Sequence, residues 1–330
     1  MVRIAVLGAG RIGKIHAANA AASRRATLVA IADPFGEAAS DLARELSCES
    51  SRDPLALVAR PDIDAVIVGT PTDTHVDLTL RSVRAGKAVL CEKPIDLDIA
   101  RVDAAIAEIE RLQGRVMVAF NRRFDPTARR AHQSIRAGEI GEVRQVLITS
   151  RDPGLPSREY LRHSGGVFRD MVIHDFDMAR WLLGEEPVAV AATASRLVDP
   201  ALGEVEDFDT VMVQMRTESG RQCHINCCRE AVYGYDQRFE IFGSAGMLLN
   251  ENMRPTTLRR WGRDETDACD RLLAFFLERY AEAYRAELDA FLHAVETGAP
   301  MPVTPRDGRQ ALRLADCALQ SALSGATVAV

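Results

Sequence analysis

Short apolar runs and amphipathic stretches alternate through the first third of the chain. RIAVL (3–7) runs into the glycine-rich GAGRIG and then the helix-compatible HAANAAA, and a second apolar run, TLVAIAD (27–33), closes on an acid. DAVIVGTP (64–71), KAVLCEKP (87–94) and RVMVAFNRRF (115–124) repeat the apolar theme. Between them HVDLTLRSVRAG and DIARVDAAIAEIERLQG read as helices closed by Gly86 and Gly114. Apolar strands alternating with helices predict a parallel, doubly wound sheet, in which ligands sit beyond the carboxyl ends of the strands. Three of those ends carry polar groups: Thr70 with His75 nearby, Glu92–Lys93, and Asn121–Arg122–Arg123.

After Phe124 the periodicity changes. Helical segments are expected near 126–137 and 170–183. Period-2 runs surround them: EVRQVLITSR, PVAVAATASRL, DTVMVQMRT, RQCHINCC, DQRFEIFGS and GMLLNE, joined by GEEP, TESGR and GSAG turns. These predict an open, largely antiparallel sheet with helices on one face, so that its other face needs a cover such as another subunit. FFLERYAEAYRAELDAFLHAVETG and RDGRQALRLADCALQSALSG, around a Pro-containing connector, read as amphipathic helices. The domain boundaries expected are 1–120 and 121–330, with the last helix free to pack back on the first domain. The fold class is thus α/β followed by α+β.

RDMVIHDFDMARW (169–181) stands out within the second half. Wound as one helix, Asp170, His174 and Asp177 fall on a single stripe at steps i, i+4 and i+7. Met171, Val172, Ile173, Met178, Ala179, Leu182 and Leu183 dress the other sides for burial. Asp175 leaves the stripe. A buried helix edge paired with arginines would look like this, and so would a catalytic seam. Trp181, on the same stripe, fits packing better than chemistry.

The 330 residues suit two domains. A formal net charge of −6 argues against a broad nucleic-acid surface and gives no attraction to anionic membranes. No apolar run approaches the ~18–20 residues of a membrane helix, and the N-terminal run enters a strand-and-turn pattern without a cleavage region, as in a cytoplasmic protein. Seven cysteines include no C-x-x-C pair. In CHINCC, Cys223 and Cys227 would face one side of a strand and His224 and Cys228 the other, which splits any metal constellation, so no metal is expected.

The glycine motif carries specific chemistry. Gly8 permits a tight turn, Gly10 lets the backbone approach a pyrophosphate, and Gly13 lets helix and strand pack closely. Arg11 and Ile12 complete the turn, whose helix-start amides would point at phosphates. Asp33 lies twenty residues after Gly13, at the end of the second strand, where a carboxylate accepts from an adenosine ribose. A dinucleotide, NAD, is the expected cofactor. Thr70, His75, Glu92 and Lys93 are expected around it, with a turn residue and a helix-start residue as the plainer account of Thr70 and His75.

GAGRIG, CEKP and GGVFRDMVIHDFDMARW, in that order, resemble the glucose–fructose oxidoreductase / inositol dehydrogenase / rhizopine-catabolism (Gfo/Idh/MocA) family across essentially the whole chain. The resemblance implies a Rossmann domain followed by an α/β domain on a large open sheet. It also implies NAD(P)-dependent sugar or polyol oxidoreduction, and dimers or tetramers formed through that sheet. NRRFDP (121–126), YGYD (233–236) and ERYAEAYRAELDAF (278–291) look most like inositol 2-dehydrogenases. Carried over by position, Lys93, Asp170 and His174 match the family's catalytic lysine, aspartate and histidine. Arg122, Asp177 and one of Tyr233 or Tyr235 match substrate contacts, the two tyrosines being able to share a strand face; Arg162 and His163 match more weakly. The stripe is then polar because it faces nicotinamide and a polyol in an interdomain cleft, where His174 accepts the hydroxyl proton, Lys93 steadies the reacting oxygen and Asp170 orients one of them. The reverse assignment, with Lys93 as base, stays open, as do another inositol isomer or sugar as substrate. An NAD-dependent glycoside hydrolase, a regulatory NAD-binding protein and a metal enzyme built on HDFD are the more distant readings.

Overall fold

The computed structural model describes residues 1–330, which group into two compact units. The first comprises 1–124 with 283–312, and the second 125–282 with 313–330. The grouping therefore turns at Phe124/Asp125 and returns a C-terminal segment to the first unit.

In the first unit, β1 (Val2–Leu7), α1 (Arg11–Ala22) and β2 (Ala26–Ala32) open the chain. They are followed by α2 (Glu37–Glu45), β3 (Glu49–Ser51), α3 (Pro54–Val58) and β4 (Ala65–Val68). Next come α4 (His75–Arg84), β5 (Ala88–Cys91), α5 (Ile99–Arg111) and β6 (Val116–Val118). The six strands are parallel in the order β3-β2-β1-β4-β5-β6. Order reverses between β1 and β4, which is where such sheets take ligands. Apart from the short polar edge strand β3, the strands are largely apolar runs because helices cover both faces; Ile4, Val6, Ile67 and Leu90 have no exposed surface. Asp53 and Asp98 cap α3 and α5 by accepting from the amides of Leu55 and Ala100.

In the second unit, α6 (Pro126–Arg136) is capped by Asp125 and leads into β7 (Val143–Arg151). Three helices follow, α7 (Arg158–His163), α8 (Gly166–Asp170) and α9 (Ile173–Leu183). The sheet continues with β8 (Pro187–Ser195), β9 (Thr210–Thr217), β10 (Gln222–Cys228), β11 (Asp236–Gly243) and β12 (Met247–Asn250). A short pair, β13 (Arg259–Arg260) and β14 (Ala268–Cys269), stands apart. Helices α10 (Phe276–Arg279), α11 (Ala281–Thr297) and α12 (Pro305–Ser324) and strand β15 (Val328–Ala329) close the chain. The sheet order is β12-β11-β7-β10-β9-β8-β15, antiparallel except for β7 with β10. Alternation along β9 buries Val211, Val213 and Met215 and turns Met212 outward. Leu147, Phe242, Met247 and Leu249 are also exposed on this sheet.

Two expectations are corrected. The segment 170–183 is not one helix: α8 ends at Asp170, and α9 begins after Met171 and Val172. The segment 275–298, expected as one helix, likewise breaks at Tyr280. At the first break buried apolar side chains on each side hide the discontinuity from a periodicity count. No helix is long and apolar enough to cross a membrane.

Candidate functional site

The glycine turn of the first unit is built as a cofactor cradle. Gly8 has φ +99°, and a Cβ there would lie 2.4 Å from the Gly69 carbonyl oxygen. A Cβ on Gly13 would lie 2.0 Å from the Gly8 carbonyl oxygen, so helix and strand approach only because both residues are bare. Gly10 is different, since a Cβ there would meet nothing within 4 Å. That open side, at the start of the twelve-residue α1, fits a pyrophosphate held by helix-start amides. Asp33 does more than the sequence suggested. Its Oδ2 accepts from the Ala9 amide at 2.8 Å and its Oδ1 from the Phe35 amide at 2.9 Å, so the acid expected at the ribose also ties down the turn.

Neighbouring strand ends are fixed with equal care. The buried His75 ring joins two carbonyl oxygens, Pro94 to Nδ1 and Thr70 to Nε2, each at 2.8 Å. It therefore ties the end of β4 to the segment carrying Glu92 and Lys93. Thr70 and Thr74 share a hydroxyl bond at 2.6 Å. Glu92 is buried and accepts from the Lys93 backbone amide, at 3.2 Å, while Oε1 meets His16 Nε2 at 2.7 Å. Lys93 is partly exposed. Arg122 is buried in the one-turn 3-10 helix 121–124, beside Arg123, which pairs with Asp307 at 3.0 Å.

In the second unit Asp170 is held from two sides. Its Oδ1 accepts from the Tyr160 hydroxyl at 2.6 Å, and its Oδ2 lies 3.3 Å from Nη1 of Arg229. Arg229 has no exposed surface, and its Nη2 lies 3.3 Å from Asp207 Oδ2. Asp207 Oδ1 in turn accepts from the amides of Val167 and Phe208 at 2.7 and 2.8 Å. The clamp thus grips α8 at both ends, Val167 through Asp207 and Asp170 through Arg229. Burial alone would depress the guanidinium's pKa, but the charges of Asp170 and Asp207 outweigh it and the pKa is raised.

His174, partly exposed, and Asp177, buried, lie near the start and middle of α9. Asp177 lies 3.7 Å from Arg180, which also reaches Glu186. Asp175 is fully buried on the side facing β10, where its charge adds to burial in raising the thiols of Cys223 and Cys227. Trp181 stacks on His132 with ring centroids 4.1 Å apart, a packing role.

Tyr233 and Tyr235 precede β11 rather than sharing a strand face. Tyr235 is buried edge-on against Phe275 and Tyr280. Tyr233 is half exposed, donates to Asp236 at 2.7 Å and meets Arg151 at 2.6 Å. Burial opposes ionisation of Asp236, but bonds from Arg238, Asn252 and Tyr233 prevail and hold its carboxyl below the usual range. Arg162 and His163 are exposed and lie near Glu159 on α7. Tyr160, Asp207 and Arg229 escaped the sequence reading. Arg229 alone left a trace, as a single arginine closing the strand QCHINCC.

A parallel sheet of this order with a bare glycine turn and an acid closing its second strand fits a dinucleotide-binding domain, and the family matches make the chain an NAD-dependent oxidoreductase. Residues 2–120 match the oxidoreductase family, NAD-binding Rossmann fold, and residues 128–249 match the GFO/IDH/MocA C-terminal domain. The chain belongs to the Gfo/Idh/MocA family. It is similar to inositol 2-dehydrogenase of Rhizobium meliloti, with 50% identity over 97% of this chain and 96% of that one. Among solved structures it resembles a myo-inositol dehydrogenase from Corynebacterium glutamicum, with TM-score 0.96, 45% identity and coverage of 100% and 99%. It also resembles scyllo-inositol dehydrogenase from Lactobacillus casei with bound NAD(H) and scyllo-inositol, with TM-score 0.93, 29% identity and coverage of 100% and 99%.

Proposed function

We propose that the chain oxidises myo-inositol to 2-keto-myo-inositol, reducing NAD. The observation that carries this is the similarity to inositol 2-dehydrogenase over nearly the full length, at 50% identity. Bound NAD supplies the hydride acceptor. His174 accepts the proton of the reacting hydroxyl, a role suited to an imidazole whose ordinary pKa, about 6.5, lies near working pH. Lys93 hydrogen-bonds the same oxygen and stabilises the charge that develops there. Asp170, fixed by Tyr160 and Arg229, orients the proton acceptor. Arg122, Asp177 and Tyr233 supply hydroxyl contacts, whereas Tyr235 is packed among aromatic rings.

The active species is a homotetramer assembled through the exposed face of the second unit's sheet, supported by Leu147, Met212, Phe242, Met247 and Leu249 standing outward there. All seven cysteines are free thiols, which suits the reducing cytoplasm and a role in inositol catabolism. The test is NADH formation screened across inositol isomers and common aldoses. Activity with myo-inositol above the other isomers is expected. Activity with another polyol but none with myo-inositol would overturn the substrate and leave the family intact.

A further inference from the structure

The first unit contains a buried polar cluster that the chemistry above does not use. His16 and Glu287 have no exposed surface, and Glu92 and Tyr284 have almost none. His16 Nε2 meets Glu92 Oε1 at 2.7 Å, and the other oxygen of Glu92 accepts from the Lys93 amide. Tyr284 on α11 sits edge-on to the His16 ring, with centroids 5.8 Å apart. Glu287 follows one turn later on the same helix and senses the charge of Glu92. Three atoms of this cluster have no hydrogen-bond partner: His16 Nδ1 and both oxygens of Glu287.

Such orphans are costly, about 1–3 kcal/mol for each neutral group and more for a charged one. Donor accounting narrows the remedy. If Nε2–H of His16 donates to Glu92, Nδ1 is an acceptor that needs a donor. Tyr284 meets the His16 ring nearly at right angles, and Glu287 is the cluster's other group with unpartnered polar atoms. A carboxylate has no proton to give, whereas a carboxylic acid has one. Burial and the negative charge of Glu92 both favour the acid, holding this carboxyl well above the usual range. The two groups make no direct bond, and one molecule with both donor and acceptor capacity between them would satisfy both, as buried water does at such sites.

We propose that Glu287 is a buried protonated acid that donates through one internal water to His16 Nδ1, fixing the Nε2–H tautomer and so the placement of Glu92 and the Lys93 backbone. The chain of bonds runs Glu287 to water to His16 to Glu92, and there it meets the amide of Lys93. Glu287 and His16 are positioning residues, acting through Glu92. The link from this relay to turnover rests on the proposed role of Lys93, but the tautomer itself does not.

The test uses the full-length protein with and without NAD. In chains carrying ¹⁵N-labelled histidine, with the His16 signal assigned by its loss in His16→Gln, the neutral Nε2–H tautomer is expected at pH 7.5. Infrared difference spectra between wild type and Glu287→Gln should show a protonated carboxyl lost from the variant. Glu287→Gln keeps a donor and should retain the tautomer. Glu287→Met removes it and should give mixed tautomers, with hydride transfer reduced about tenfold, inside the ~10²-fold range that small misplacements reach. An Nδ1–H or doubly protonated His16, or an ionised Glu287, overturns the relay. Wild-type tautomer and hydride transfer in a folded Glu287→Met overturn it as well. If Glu287→Met does not fold, the Glu287→Gln spectra decide. Altered tautomers with unchanged hydride transfer would refute the positioning of Lys93 through Glu92 and leave only the tautomer assignment standing.

Discussion

Replacing Arg229 with methionine removes the one cation that joins Asp170 to Asp207. Both guanidinium contacts are 3.3 Å long and buried. At an effective dielectric of about 20, each attraction is worth about 5 kcal/mol before desolvation is charged against it. Desolvating a guanidinium costs several kcal/mol, and the variant escapes that cost. Asp207 keeps its two backbone amides and Asp170 keeps the Tyr160 hydroxyl. The balance is the usual cost of orphaning a buried charge, about 3–5 kcal/mol. At about 2–4 °C per kcal/mol for a unit of this size, the melting transition of the second unit should fall by roughly 6–20 °C. NAD affinity, which belongs to the first unit, should hold. Hydride transfer with inositol should drop, because the orientation of Asp170 is lost. The discriminating variant is the double replacement Arg229→Met with Asp207→Asn. Removing both charges should recover much of the stability without restoring hydride transfer. Calorimetry and single-turnover NADH formation on wild type, single and double variants measure both quantities. A single variant with wild-type melting and turnover refutes the clamp. A double variant that regains turnover together with stability shows Arg229 to be purely structural.

Asp33→Ser should narrow the preference for NAD over NADP. It should also weaken NAD binding by about ten- to a hundredfold, because charge-assisted bonds to the Ala9 and Phe35 amides go with it; fluorescence titration with both cofactors checks this, and unchanged NAD affinity would refute the anchoring role. Glu287 carries a pKa raised above its unfolded value, so the folded chain holds a proton that the unfolded chain releases from about pH 4.3 upward. Its stabilising contribution is complete below that pH and is lost as pH rises toward the folded value, by up to about 1.4 kcal/mol per pH unit. Urea titrations at pH 5 and pH 8 should therefore show a shallower decline in Glu287→Gln than in wild type, and parallel declines would contradict it. Burial pushes the Cys91 thiol up to about 12, so at neutral pH it should resist alkylation in the native protein and react on unfolding. Labelling followed by peptide mass mapping reads this out, and rapid native labelling of Cys91 would count against the buried strand end.

Local sequence carried the first unit because its signals are local. Each apolar run of the parallel sheet is buried on both faces and reads as continuous, and each helix is punctuated by a glycine or capped by an aspartate. The cofactor turn needs bare backbone at Gly8 and Gly13, a demand only glycine meets. The residues proposed for catalysis were legible for the same reason, since Lys93, Asp170 and His174 sit in short contiguous motifs. The break between α8 and α9 was not, because Met171 and Val172 are as apolar as the helix residues around them. Nor were the partners of Asp170: Tyr160 lies ten residues before it, and Arg229 fifty-nine after it. His16 and Glu287 stand at opposite ends of the chain. Hydrogen bonds and ion pairs act over about 3 Å, so which buried charge finds which partner is decided where strands and helices meet. The sequence by itself determined the elements, the cofactor turn and the residue types of the chemistry. Only the tertiary structure decided how Asp170 is gripped and which polar groups lie buried beneath Lys93.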